Sequence, residues 1–201
     1  MIDDIGNSSV KEGHPWSRLP SMDEEMKKNI QGTADFLGLN YYTSRIVKPK
    51  QKASNDKVRF ETDVGIDFII DPSWKMAKSV WILSVPQGLR EVLIWIKNNY
   101  NNPLVFISEN GWSDEGELED IGRIEYLKDH MISVAKAINE DGCNVIGYTV
   151  WSIIDNFEWN QGYTEKFGIF AVNMSSPTKE RTPKKSAQFM REVIEKRSIS
   201  V

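Results

Sequence analysis

Three apolar runs alternate with three amphipathic ones along the chain, and this order leaves few folds open. The apolar runs are "TADFLGLNYY" (33–42), "PLVFISE" (103–109) and the start of "CNVIGYTVWSIIDNFEW" (143–159). Between and after them lie "PQGLREVLIWIKNNY", "GRIEYLKDHMISVAKAINEDG" and "TPKKSAQFMREVIEKR". In the first of these, Leu89, Val92, Leu93, Ile96 and Tyr100 recur at helical spacing behind Pro86, a residue suited to a helix's first turn. In the second, Ile124, Leu127, Met131, Val134 and Ile138 share one face; in the third, Ala187, Met190, Val193 and Ile194 point inward behind Pro183. Strands alternating with amphipathic helices build right-handed parallel units, so the expected class is α/β, either a doubly wound sheet or a piece of an eight-stranded barrel.

Local signals refine this outline. The continuous run Leu104-Val105-Phe106-Ile107, closed by the Asn110-Gly111 turn signal, predicts a parallel strand covered on both faces. Upstream, Ser21 and Glu24 form a capping pattern before a short helix with Met22, Met26 and Ile30 at helical spacing, ending at Gly32. Residues 43–80 are mixed and charged and are expected to form a functional loop region, with "VRFETDVGIDFIID" (58–71) as a hairpin or long excursion.

Composition narrows the partners. With 201 residues, 40% hydrophobic and 27% charged, the chain can bury one core. A net charge of -4 and a pI near 5.4 give no electrostatic reason to expect nucleic acid or an anionic membrane, so a neutral small molecule fits better. One cysteine and two histidines without ligand spacing predict no metal and no internal disulfide. No segment approaches the roughly 20 apolar residues of a membrane span, and "MIDDIGNSSVKEGHP" lacks the apolar core of a signal peptide. The triplets Asn7-Ser8-Ser9 and Asn173-Met174-Ser175 would suit a secreted or lysosomal parent.

Each predicted strand finishes on polar or aromatic residues: Asn40 and Tyr42, then Glu109, then Trp151, Asp155, Asn156, Glu158 and Trp159. Parallel strands open their carboxyl ends toward one rim, where ligands bind. A carboxylate at such an end either caps a turn or faces a ligand. A carboxylate beside a phenol, an amide and two indoles suits a carbohydrate, whose C–H faces stack on rings and whose hydroxyls pair with Glu and Asn. Trp81 and Trp95, at helix or helix-entry positions, are expected in the core; Trp151 and Trp159, flanking acids after a strand, are expected in the pocket.

Read together and in order, "DFLGLNYYTSR", "VFISENGWSDEG", "YTVWSIIDNFEWNQGYTEKFGIFAVN" and "RTPKKSAQFM" resemble the carboxyl-terminal part of the family-1 glycoside hydrolases, the β-glucosidase family. The wording of the motifs is most similar to animal, insect-type β-glucosidases and their myrosinase relatives, and the likeness runs from about Trp16 to Ile194. The resemblance implies a partial (β/α)8 barrel, about strands 6 to 8 with their helices, with residues 1–201 forming one carboxyl-terminal portion and the N-terminal half absent. It implies that Glu109 is the nucleophile of a retaining hydrolase and that Tyr42 orients it. It places Asn40, Trp151, Glu158, Trp159 and Phe167 around the sugar, and it implies no cofactor. Family members acting on 6-phosphorylated glycosides carry a serine near the position of Glu158, and a carboxylate there repels a phosphate, so an unphosphorylated sugar is expected.

One family feature is missing. The general acid/base glutamate stands in a Thr-x-Asn-Glu-Pro motif, and this chain contains none; its Asn139-Glu140 pair precedes Asp141 at a helix end. The expectation is hydrolysis of terminal β-O-glycosides by a longer parent, with this chain alone inactive and in need of the missing barrel half. The alternatives are a non-catalytic sugar- or protein-binding member and a myrosinase cleaving thioglucosides.

Overall fold

The computed structural model describes residues 2–50 and 60–199. In chain order its elements are α1 (Ile2–Lys11), α2 (Glu24–Ile30), β1 (Leu37–Asn40), β2 (Ile46–Pro49), α3 (Phe60–Val64) and β3 (Ile66–Ile69). There follow α4 (Pro86–Asn99), β4 (Val105–Glu109), α5 (Ile121–Asn139), β5 (Val145–Tyr148), β6 (Phe170–Val172), β7 (Arg181–Pro183) and α6 (Lys185–Lys196). Contacts group these into two compact units: Met1–Asp35 with Arg45–Asp71, and Phe36–Ser44 with Pro72–Val201.

In the first unit, the polar entry that carried no predicted element is helix α1, held by buried Ser9, whose hydroxyl donates to the Ile5 carbonyl at 2.6 Å. Arg18 forks onto both carboxylate oxygens of Asp63 at 3.0 and 2.7 Å. Helix α2 is where expected, but its cap is Asp23, which accepts from the Met26 amide at 2.8 Å; Ser21 lies too far upstream to reach the first turn. Met22, Met26 and Ile30 are all about half-exposed, so their spacing marks no buried face. Strand β3 pairs antiparallel with β2, not with a second strand inside 58–71, and α3 stands before it; Val58 and Arg59 lie outside the described residues.

The second unit is built on a three-stranded parallel sheet in the order β1-β4-β5. Register runs Leu37 to Val105 and Leu39 to Ile107 on one side of β4, and Val105 to Val145 on the other. The alternation of β1, α4, β4, α5, β5 and α6 gives the α/β class predicted from the sequence, with the antiparallel β6–β7 hairpin as an unforeseen insertion. Leu89, Leu93 and Ile96 of α4 and Val134 and Ala137 of α5 close over Val105 and Ile107, forming the main core. Pro86 occupies the first turn of α4, where its missing N–H costs nothing.

The other face of the sheet is covered less completely within the unit. Successive strand side chains alternate, so Val105 and Ile107 meet the helices while Phe36, Leu104 and Ile146 remain 51%, 41% and 52% exposed. The expectation of β4 covered on both faces holds fully only for the helix face; on the other, Phe106 and Ser108 are partly buried within the unit. Helix assignments hold better than their inward residues. Tyr100 and Trp95 are 58% and 53% exposed and pack edge to face with each other, which overturns the core placement of Trp95. Ile138 and Ile194 also face outward, and Pro183 closes β7 instead of opening α6, which begins after Lys184.

Candidate functional site

The carboxyl ends of the three parallel strands are stitched together by backbone hydrogen bonds. The Tyr41 amide donates to the Glu109 carbonyl at 2.9 Å, and the Trp151 amide donates to the Asn110 carbonyl at 3.0 Å. Asn110 is fully buried and completes the tie: its amide group donates to the Tyr41 carbonyl (2.7 Å) and the Tyr126 hydroxyl (3.0 Å), and its carbonyl accepts from the Tyr148 hydroxyl (2.6 Å). Gly111 is not at a positive φ; a side chain there would meet the Trp151 carbonyl oxygen at 2.0 Å. The Asn-Gly pair read as a turn signal is thus a hydrogen-bond hub followed by a close backbone approach.

Above this frame lies a cavity of about 330 Å³, lined by all seven residues that the family resemblance assigned to the site: Asn40, Tyr42, Glu109, Trp151, Glu158, Trp159 and Phe167. The Tyr42 hydroxyl donates to Glu109 Oε2 at 2.7 Å. Burial, then the hydrogen bond and charge of Glu109, hold the Tyr42 phenol far above its usual range, so it stays a donor. Its ring stands edge-on to Phe167, which is 3% exposed, and to Trp81, with centroids 6.3 and 5.5 Å away. Asn40 turns its side-chain oxygen to the Ser108 hydroxyl at 2.7 Å.

Glu158 is 6% exposed and accepts from the Trp151 indole N–H at 3.2 Å. Burial raises its carboxyl above the usual range, against the hydrogen bonds from Trp151 and Asn156, and the nearby Glu165 and Glu109 add to the rise. Trp159 stands at the rim, 83% exposed, on the short 3-10 turn Trp159–Gln161. Such a cavity combines flat apolar surfaces with carboxylate and amide acceptors, the surface a sugar needs.

Not every strand-end acid reaches it. Asp155 is 3% exposed and turns inward, accepting from Lys184 Nζ at 3.1 Å and the Gly168 amide at 2.9 Å. Beside it, fully buried Arg123 pairs with Asp114 and Asp120 and donates to the Gly168 and Lys166 carbonyls. This buried network fixes the segments that carry Trp151, Glu158 and Phe167. Conversely, Trp81, expected in the core, is 49% exposed and lines the cavity, together with Gln161 and Glu165, which carried no sequence signal. The position of Trp81 just before the Pro86 helix, directly after the stretch 43–80 assigned to a loop, was the usable clue. Among the described residues no cluster of three or more His, Cys, Asp or Glu side chains is placed to hold a metal ion, and no helix is long and apolar enough to cross a membrane.

Residues 3–199 match the family described as Glycosyl hydrolase family 1. The chain is 43% identical over 192 residues to the cytosolic beta-glucosidase of Homo sapiens, and 41% identical over 191 residues to myrosinase 1 of Brevicoryne brassicae. Each alignment covers 94% of this chain and 40% of the relative, so the chain spans about two-fifths of the length of the curated relatives it matches. Among solved structures it superposes on aphid myrosinase with a TM-score of 0.87 at 40% identity, covering 96% of this chain and 41% of that one. On the beta-glucosidase from Trichoderma harzianum the TM-score is 0.80 at 32% identity, covering 91% and 41%.

Proposed function

The chain belongs to glycosyl hydrolase family 1, and from that membership we propose that the protein it builds is a retaining β-glucosidase acting on terminal β-O-glycosides. The observation that carries this reading is the 2.7 Å hydrogen bond from Tyr42 to Glu109 in a cavity walled by indoles and a second carboxylate. In the proposed reaction Glu109 attacks the anomeric carbon as its bond to the aglycone oxygen breaks and that oxygen takes a proton from the general acid; water, giving a proton back to the same group, then displaces Glu109 from the covalent glycosyl-enzyme. Tyr42 donates to Oε2, which orients the carboxylate and leaves its other oxygen for the sugar. Trp151 forms the floor, Glu158 and Trp159 take the outer hydroxyls, Asn40 reaches the sugar near the reacting bond, and Phe167 closes the wall.

A retaining hydrolase also needs a proton donor roughly 5 Å from the nucleophile. Glu140 cannot be that group: it caps the end of α5, half-exposed, and pairs with Arg90 at 2.7 Å. We assign the acid/base to the part of the relatives' length that this chain does not span, and the three parallel strands to about strands 6 to 8 of a (β/α)8 barrel. The substrate is unphosphorylated, because a phosphate beside Glu158 would meet an acid in a pocket that already holds others. A second reading, thioglucoside cleavage, draws on the likeness to aphid myrosinase; parallel assays with O- and S-glucosides separate the two.

The test is covalent trapping in the full-length protein. A 2-deoxy-2-fluoroglucoside with a good leaving group is expected to add one sugar mass to the peptide containing Glu109. Label on another residue, or unaltered labelling of Glu109→Gln, overturns the assignment.

A further inference from the structure

Glu165 enters the cavity wall from the stretch between Trp159 and Phe167 and is half-buried there. Its neighbouring lysines are turned elsewhere: Lys78 Nζ goes to Glu115 and to the Thr164 carbonyl, and Lys166 Nζ to the Tyr163 carbonyl at 2.6 Å. Among the described residues Glu165 has no ion pair.

What holds it is a pair of serines, 1% and 0% exposed. The Ser79 hydroxyl donates to Glu165 Oε2; Ser113 Oγ donates to Ser79 Oγ at 2.8 Å and accepts from the Ser79 amide at 2.7 Å. A donor supplied by a buried, hydrogen-bonded hydroxyl fixes the direction of the carboxylate that accepts from it. The Oε1 atom accepts no hydrogen bond from the described residues. With Glu109 and Glu158, Glu165 makes three carboxylates on a lining that includes no lysine or arginine among the described residues. Like charges around one concave surface sum to a field that a bound ligand's own charge must meet.

We infer that Glu165 is a specificity-determining residue, selecting neutral and cationic glycosides over anionic ones through an uncompensated charge that Ser79 and Ser113 hold at the cavity wall. The inference rests on the glycosidase reading above and adds to it the charge class of the substrate. It also concerns a residue distinct from those assigned to the sugar.

The experiment compares wild type with Glu165→Gln and Glu165→Lys in the full-length protein on three phenyl β-glucosides, with para nitro, carboxylate or aminomethyl groups. Each variant is scored against wild type on the same substrate, which removes differences in leaving-group reactivity. For Glu165→Gln, kcat/KM on the carboxylate substrate is expected to rise about three- to tenfold relative to the nitro substrate, and that on the aminomethyl substrate to fall by a similar factor. Glu165→Lys should widen both changes, and about 0.5 M salt should shrink them. Ratios that move together for all three substrates overturn the inference. If wild type hydrolyses none of them, the glycosidase reading fails; charge selection is then read from tryptophan-fluorescence titrations with the same glucosides, and equal affinities in wild type and Glu165→Gln refute it.

Discussion

His130 lies wholly buried against the rings of Tyr126 and Tyr41, with centroids 3.9 and 5.8 Å away. Its Nδ1 meets the Tyr126 carbonyl at 2.7 Å, so that nitrogen carries the proton, and Nε2 is buried with no hydrogen-bond partner among the described residues. Burial pushes the imidazole down to about 4, against the pull of the carbonyl. The unfolded chain keeps it near 6.5, so protons favour the unfolded state between these values. Stability is therefore complete above about pH 6.5 and is lost as pH falls toward 4, by up to about 3 kcal/mol. Urea midpoints should decline over that window and decline less in His130→Phe; equal slopes would remove His130 as the source. The sequence disclosed a histidine on a helix but not its burial, which depends on Tyr126 one turn before it and on Tyr41 from a distant strand end. Glu109, Tyr42 and Asn40 were legible because strand polarity alone brings them to one rim. Arg123 and Lys184 were not, since nothing local announces a buried cation before its carboxylates converge on it.

The strands and helices of the second unit were readable because periodicity and parallel topology act over many residues, while caps and hairpins turn on single contacts. Asp23 replaces Ser21 as the α2 cap, and β2 finds β3 across a long insertion. Gly111 shows the same limit: Asn-Gly reads as a turn, yet the glycine is required where β4 runs out against the Trp151 carbonyl. Gly111→Ala must push these segments apart. We expect a loss of about 1–3 kcal/mol in unfolding free energy, typical of overpacking, seen as a lower thermal midpoint. A midpoint matching wild type would show that the segments yield freely.

The apolar face made by Phe36, Leu104 and Ile146 sets how these 201 residues behave on their own. A sheet with one incompletely covered face and unpaired edges invites association. The isolated chain is expected to bind an apolar dye, to scatter light increasingly with concentration, and to leave a neutral aryl β-glucoside intact. A monodisperse, active chain would refute both the exposed face as a liability and the assignment of the proton donor to residues outside it. Within the second unit the stitched strand ends have a different consequence. Glu109 and Trp151 are joined through main chain and Asn110, whereas Trp159, Gln161 and Glu165 reach the cavity from the segment beyond. On the proposed reading, changes confined to the exposed Trp159 at the rim can retune which glycosides are admitted, while the hydrogen bonds that tie Asn110 to Tyr41 and Trp151 hold Glu109 at its spacing from Trp151.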